Sequence, residues 1–107
     1  INTPYIVIMI ELTYTFEYPS DADGVLGDFV HFLNNLSYRY SEDWDEEVKN
    51  AYNVVKKNKT RIQKTIEGGK TVKISSRIDI PELESALRII LKQLYRVEFS
   101  APGSIKF

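Results

Sequence analysis

The residues of this 107-residue chain with the clearest chemical meaning are its cations, and the chemistry they suggest is the holding of phosphate. Arg88, Lys92 and Arg96 recur at i, i+4 and i+8, which on a helix makes a basic ridge about two turns long. Arg61, Lys73 and Arg77 fall on the outward face of a pair of expected strands and add a second basic patch. Each phosphate neutralised by such a side chain adds salt-dependent affinity, so these six could hold a nucleic-acid backbone. Solvation is the competing explanation, because Glu84 precedes Arg88 by four residues in the favoured ion-pair order. The outward strand face carries no aromatic residue to stack on bases, so any contact there should read backbone rather than sequence.

Little else could act as a catalyst. There is no cysteine, which removes disulfides, thiolate metal sites and thiol nucleophiles together. His31 is the single histidine and falls on the outer side of an expected helix, where a solvated role is the default. The acids Glu42, Asp43, Asp45, Glu46 and Glu47 match neither a calcium loop nor a helix-borne carboxylate and histidine set, and a solvated helix start explains them better. Gly68 and Gly69 lack the spacing and helical context of a phosphate loop and read as turn residues. No enzyme activity, metal or cofactor is expected.

These side chains must be positioned by regular elements, and the hydrophobic pattern supplies them. Ile6, Ile8, Ile10, Leu12, Tyr14, Phe16 and Tyr18 alternate with Glu11, Thr13, Thr15 and Glu17, as in a strand with one face on a core. Pro19 and Ser20 stop it, with Ser20 starting a helix whose apolar stripe is Ala22, Val25, Leu26, Phe29, Phe32, Leu33 and Leu36, leaving Asp28 and His31 outside. A second helix is predicted from Ser41, burying Trp44, Val48, Ala51, Tyr52 and Val55, with acids in its first turns and Lys56, Lys57 and Lys59 at its end, as the helix dipole favours. Two strands follow around Gly68 and Gly69, with Ile62, Ile66, Val72, Ile74, Ile78 and Ile80 inward. Pro81 opens the last helix, which runs to about Val97, and the tail from Ser100 is irregular or a short added strand.

The expected fold is therefore a single α+β domain over residues 1–107. It is a two-layer sandwich of one antiparallel or mixed sheet of about three strands with helices on one face, in the order β-α-α-β-β-α. Residues 37–58 could be an insertion into a simpler strand, helix, two-strand, helix core. On the last helix Leu83, Ala86, Leu87, Ile90, Leu91, Leu94, Tyr95 and Val97 cover roughly half the circumference, whereas a helix on a sheet usually needs a stripe of about 100°. The surplus calls for a second contact, either another subunit or the neighbouring helix; Leu83, Leu87, Ile90, Leu91, Leu94 and Tyr95 are the candidate partner interface.

Net charge conceals an asymmetry. Residues 1–48 carry ten acids against Arg39, and residues 49–107 carry thirteen Lys and Arg against five acids, so −9 and +8 sum to −1. Such a chain either presents two faces of opposite sign or neutralises its halves across the fold. The aliphatic run at residues 6–10 is far shorter than the about 20 residues that span a bilayer, no basic segment precedes it, and the cysteine-free composition suits a reducing compartment. A soluble cytoplasmic protein without membrane contact is expected.

The later half resembles a known family. Residues 60–97, with the hairpin Glu67-Gly68-Gly69-Lys70, the strand Thr71-Val72-Lys73-Ile74, the break at Asp79 and then Ala86-Leu87-Arg88 with Leu91 and Arg96, resemble the small Pcc/CTAG-type subunit of the KEOPS complex. The opening strand Glu11-Leu12-Thr13-Tyr14-Thr15-Phe16-Glu17-Tyr18, ending in Pro19-Ser20, is similar to that family's first strand. Lys92-Gln93 stands where the family has Asn-Ser, and residues 37–58 have no counterpart in a typical member. The resemblance implies a non-catalytic scaffold and dimerisation subunit of the assembly that makes threonylcarbamoyladenosine on tRNA. It implies a homo- or hetero-dimer, a kinase-like catalytic subunit as partner, contact with tRNA, and Arg88 and Arg96 at the family's basic helix positions. The alternatives are a stand-alone nucleic-acid-backbone-binding protein and a viral or plasmid protein that binds a host complex.

Overall fold

A computed structural model describes residues 10–77 and 80–101. Its elements are β1 (Ile10–Thr15), α1 (Pro19–Asn34), α2 (Leu36–Arg39), α3 (Glu46–Lys57), a 3-10 turn (Lys59–Arg61), β2 (Ile62–Glu67), β3 (Thr71–Ser76) and α4 (Pro81–Tyr95). This is an α+β fold. Its sheet has the order β1-β3-β2 and is antiparallel throughout.

Strand parity sorts the side chains. Leu12 faces Ile74 and Tyr14 faces Val72 across one pair, while Ile66 faces Val72 across the other, and this side of the sheet meets the helices. The opposite side carries Glu11, Thr13, Thr15, Gln63, Thr65, Glu67, Thr71, Lys73 and Ser75, polar at every position. Gly68 and Gly69 turn the hairpin at φ of 61° and 78°, where a Cβ would be strained. Lys64 points to the core side of the edge strand β2, opposite Ile74, an inward charge that discourages edge-to-edge pairing. The described part of the tail makes one bridge: Thr13 and Ser100 exchange backbone hydrogen bonds of 2.9 and 3.0 Å, and this seats the buried Phe99 ring 5.7 Å from Tyr14, while residues 102–107 of the predicted tail lie outside the described residues.

α1 crosses β2 and β3, α4 lies against β1, and α3 packs lengthwise on α4. The two helices run antiparallel, since Val54 and Glu82 share one end of their seam and Asp45 and Arg96 the other. This packing answers the question raised by the broad apolar arc of α4. Leu83, Leu87, Ile90 and Leu91 are each 0% exposed within the single chain, and Leu94 and Tyr95 are half-buried against the same core. Four of the six side chains read as a candidate partner interface, Leu83, Leu87, Ile90 and Leu91, are thus closed within the chain's own core beside α3, whose Val48, Ala51, Tyr52 and Val55 are buried in return, while Leu94 and Tyr95 keep partial exposure. Residues 37–58, weighed as an insertion, contribute to the one core cluster.

Element boundaries shift for local reasons. α1 starts at Pro19 behind Tyr18, not at Ser20, because proline fits the first helical position, where no N–H partner is needed. α3 starts at Glu46 rather than Ser41, because the Asp45 carboxylate accepts the Val48 N–H at 3.1 Å. The Ser41 hydroxyl instead accepts the Asp43 N–H in the turn before it, and the short α2 was not expected. β1 ends at Thr15, leaving Tyr18 58% exposed, while Ile6, Ile8 and Ile78 lie outside the described residues. α4 ends at Tyr95, with Arg96 in the left-handed region at φ 62°.

Two stability outcomes follow from this packing. Leu87→Ala should lower unfolding free energy by about 2–5 kcal/mol in urea denaturation, the cost of emptying a closed core site. Arg96→Gly should raise it by about 0.5–1 kcal/mol, because glycine holds a left-handed cap without the Cβ penalty.

Candidate nucleic-acid interface

The six cations singled out from sequence divide by their surroundings. Lys73 sits in the middle of the polar sheet face with its Nζ 2.7 Å from Glu67 Oε2 and 3.7 Å from Glu11 Oε1. The hydrogen bond to Glu67 holds its pKa above the usual lysine value, and with two carboxylates around one ammonium that face is not a phosphate platform. Arg88 donates to Glu84 at 3.1 Å, the i, i+4 pairing that competed with a basic ridge, and Lys92 lies 3.8 Å from Glu98. The expected ridge on α4 is therefore largely neutralised. Arg61, Arg77 and Arg96 have no carboxylate within 4.0 Å among the described residues, but Arg96 stands at the far end of α4 from the other two elements.

The unneutralised charge lies elsewhere. Residues 48–66 contain Lys49, Lys56, Lys57, Lys59, Arg61 and Lys64 and no acid. Lys49 pairs with Glu42 at 3.7 Å; the other five make no ion pair among the described residues. Lys56 and Lys57 occupy the last turn of α3, where the helix dipole favours them, but the dipole accounts for neither Arg61 nor Lys64 beyond that helix. The hydrogen bond from Asn58 Nδ2 to the Val54 carbonyl, 2.8 Å, closes α3 and turns the chain through Lys59–Arg61 into β2, so one short path carries all five cations around one end of the molecule. Arg77 belongs to the same end, since it follows Ser76, the register partner of Ile62. The signal for this cluster is present in the charge split between the halves, but it has no period, because its members span a helix end, a turn and a strand.

Two neighbouring depressions follow this basic end, with residues 33–40 as one wall and 52–64 as the other. The first, about 290 Å³, is lined by Ser37, Tyr40, Tyr52, Asn53 and Lys56. The second, about 190 Å³, is lined by Leu33, Asn34, Lys59, Thr60, Ile62 and Lys64. Aromatic packing builds the floor of the first: Tyr40 lies 4.9 Å from Tyr52, Trp44 lies 5.7 and 5.9 Å from these two rings, and Phe32 lies 6.5 Å from Tyr52. By contrast, the depression around Ile89 between α3 and α4 has Glu47 beside Lys92, so its walls carry both signs.

The wall at residues 33–40 is held by Asp28, which the helical pattern had placed outside. Arg39 Nη1 and Nη2 donate to its two oxygens at 3.2 Å each, and the Tyr95 hydroxyl donates to Oδ2 at 2.6 Å, tying α1, α2 and α4 together. The Arg39 guanidinium also lies 5.5 Å above the Phe32 ring. Partial burial pushes the Asp28 pKa up, but the hydrogen bonds from Arg39 and Tyr95 and the Arg39 charge outweigh it, so the net shift is downward from 3.8. Burial, followed by its bond to Asp28, pushes the Tyr95 phenol far above its usual range. No sequence period could have found this cluster, since Asp28 and Tyr95 are 67 residues apart. His31 is exposed on α1 beside Asn35 and makes no hydrogen bond to Asp28, though its charge is the smallest of the influences that lower the Asp28 pKa. Among the described residues no group of three or more His, Asp or Glu side chains could hold a metal ion, and Glu46 and Glu47 lie in the first turn of α3.

The Asp28 cluster has a defined pH signature. A carboxylate whose folded pKa is depressed contributes stability above its unfolded pKa and loses it as pH falls through the folded value. Asp28→Asn should therefore cost about 1 kcal/mol near pH 7, a modest figure because the side chain is partly solvated. In paired urea melts that difference should shrink steadily below about pH 4.

No helix among the described residues is long and apolar enough to cross a membrane. Compared with known proteins, the chain matches no family model, no curated protein and no solved structure.

Proposed function

We propose that this protein is a non-catalytic RNA-binding subunit that holds the phosphate backbone through its basic end, serving as a scaffold within a tRNA-modifying assembly. One observation carries the reading: five cations, Lys56, Lys57, Lys59, Arg61 and Lys64, lie along a single path with no acid between residues 48 and 66 and no ion pair among the described residues. An isolated cation on a surface is ordinary solvation. Five without counter-charge raise the local potential and gain free energy by releasing the counterions condensed on a polyanion. Arg77 follows β3 at the same end, whereas Lys73 and Arg88 are already paired with carboxylates and Lys92 lies on the last turns of α4, 3.8 Å from Glu98. The threonylcarbamoyladenosine assembly is the context suggested by the resemblance of the first strand and the later half to the small KEOPS subunit. In that context a dimer or a kinase-like partner would have to use a surface other than the buried side chains of α4.

The test is a titration of bulk tRNA with the purified chain, followed by fluorescence anisotropy. With about four phosphate contacts, each contributing a slope of about 0.7–0.9, affinity should fall roughly 50- to 150-fold between about 50 and 200 mM salt. Lys57→Glu with Arg61→Glu should abolish most binding regardless of RNA sequence, whereas Lys92→Ala should change it little. No binding at low salt, or an equal loss with Lys92→Ala, would overturn the reading.

A further inference from the structure

We infer that the depression between α2 and α3 is a pocket for a nucleobase carrying a phosphate. The inference deepens the proposed function and rests on it for the polyanion, but it adds something a backbone-binding surface lacks: a place where a base is held. The polar sheet face offers no aromatic platform, whereas four rings, Phe32, Tyr40, Trp44 and Tyr52, gather at the helical corner beside the cations.

Three features of the pocket agree with that ligand. Tyr40 is half-buried and lines the depression, so it presents aromatic surface while Trp44 and Tyr52 brace it from within. A base stacks on such a ring whatever its identity. The rim is polar and short of partners. Ser37 and Asn53 are exposed there, and Tyr52, only 4% exposed, makes no hydrogen bond through its hydroxyl among the described residues, though it lines the same depression. The hydroxyl is not sealed from solvent, since Arg88 Nε alone is a fully buried side-chain polar atom without a partner among the described residues, so an occupant with ring nitrogens or exocyclic groups can accept from it in place of water. Burial, followed by the nearby Tyr40, raises the Tyr52 pKa.

The third feature is charge. Lys56 stands on the rim, and Lys59 and Lys64 line the neighbouring depression along the same wall. A neutral sugar or a free aromatic amine would use the rings but not these cations. A nucleotide uses both, with its base on Tyr40 and its phosphate toward Lys56, and a strand continuing from it would pass Lys59 and Lys64. The aromatic cluster also closes the core at this corner, but core closure needs only apolar contact, and neither it nor the α3 dipole that favours Lys56 accounts for the polar rim or for Lys59 and Lys64 alongside.

Trp44 is the only tryptophan of the chain and touches both tyrosines, so its fluorescence reports on the pocket without a label. The intact chain would be titrated with adenosine monophosphate, with ribose 5-phosphate, with inorganic phosphate and with a short single-stranded oligonucleotide. The mononucleotide should give a saturable change and bind about tenfold more tightly than ribose 5-phosphate, the share that stacking supplies. Tyr40→Leu should remove that preference. Because Tyr40 is half-buried, the exposed substitutions Asn53→Ala and Lys56→Ala are paired with it, each expected to weaken the mononucleotide severalfold without altering thermal unfolding.

An oligonucleotide that binds more tightly than the mononucleotide, and loses that advantage in the Lys57→Glu, Arg61→Glu double variant, identifies an unpaired base of an RNA strand as the occupant. Equal affinity identifies a free nucleotide. Equal response to the mononucleotide and ribose 5-phosphate, or no response with tRNA binding intact, overturns the pocket while leaving the backbone surface standing. A mononucleotide response that persists when tRNA binding fails does the reverse.

Discussion

The burial of one broad apolar arc governs this fold. α4 presents more hydrophobic surface than a three-stranded sheet can cover, and each of Leu83, Leu87, Ile90 and Leu91 left fully in water would forfeit roughly 1.5–3 kcal/mol. α3 supplies the missing cover. Once Val48, Ala51, Tyr52 and Val55 are committed to α4 and the adjoining core, Asn53 and Lys56 must face outward, and the end of α3 must deliver the chain back to the edge of the sheet at Ile62. The basic end of the molecule is a consequence of that route.

A second constraint orders the opposite wall. α2 is a single turn that could not persist alone, since short helices are unstable in water without tertiary contacts. Arg39 fixes it by a two-pronged bond to Asp28, which Tyr95 also holds from α4, so three helices meet at one carboxylate. The aromatic group of Phe32, Tyr40, Trp44 and Tyr52 then packs in the angle between α2 and α3. A depression lined by rings and rimmed by Ser37, Asn53 and Lys56 is what remains where these two constraints meet.

Charge shows most clearly how position changes meaning. Lys73 and Lys57 are the same residue type in the same basic half of the chain. Lys73 lands on a central strand, where antiparallel register brings Glu11 and Glu67 to within ion-pair distance. Lys57 lands at a helix end followed by further cations and no acid. The first is an internal link of the sheet surface, whereas the second is available to an outside anion. Arg88 and Lys92 joined the first class through Glu84, one turn away, and Glu98, carried back by the tail after Arg96 ends the helix.

Much of this protein was legible in one dimension. Alternation and 3.6-residue spacing specified β1, α1, the hairpin and α4, and the dipole-matched charges of α3 marked its direction, because these are interactions among residues close in sequence. The exact starts at Pro19 and Glu46 turned on competition among adjacent capping groups, which pattern alone did not resolve. What covered the surplus arc of α4, which lysines were neutralised and where the aromatic side chains gathered were decided by the tertiary structure alone. Each depends on pairs distant along the chain, such as Asp28 with Tyr95 or Glu11 with Lys73, and a periodic pattern records which face a residue occupies but not what that face will meet.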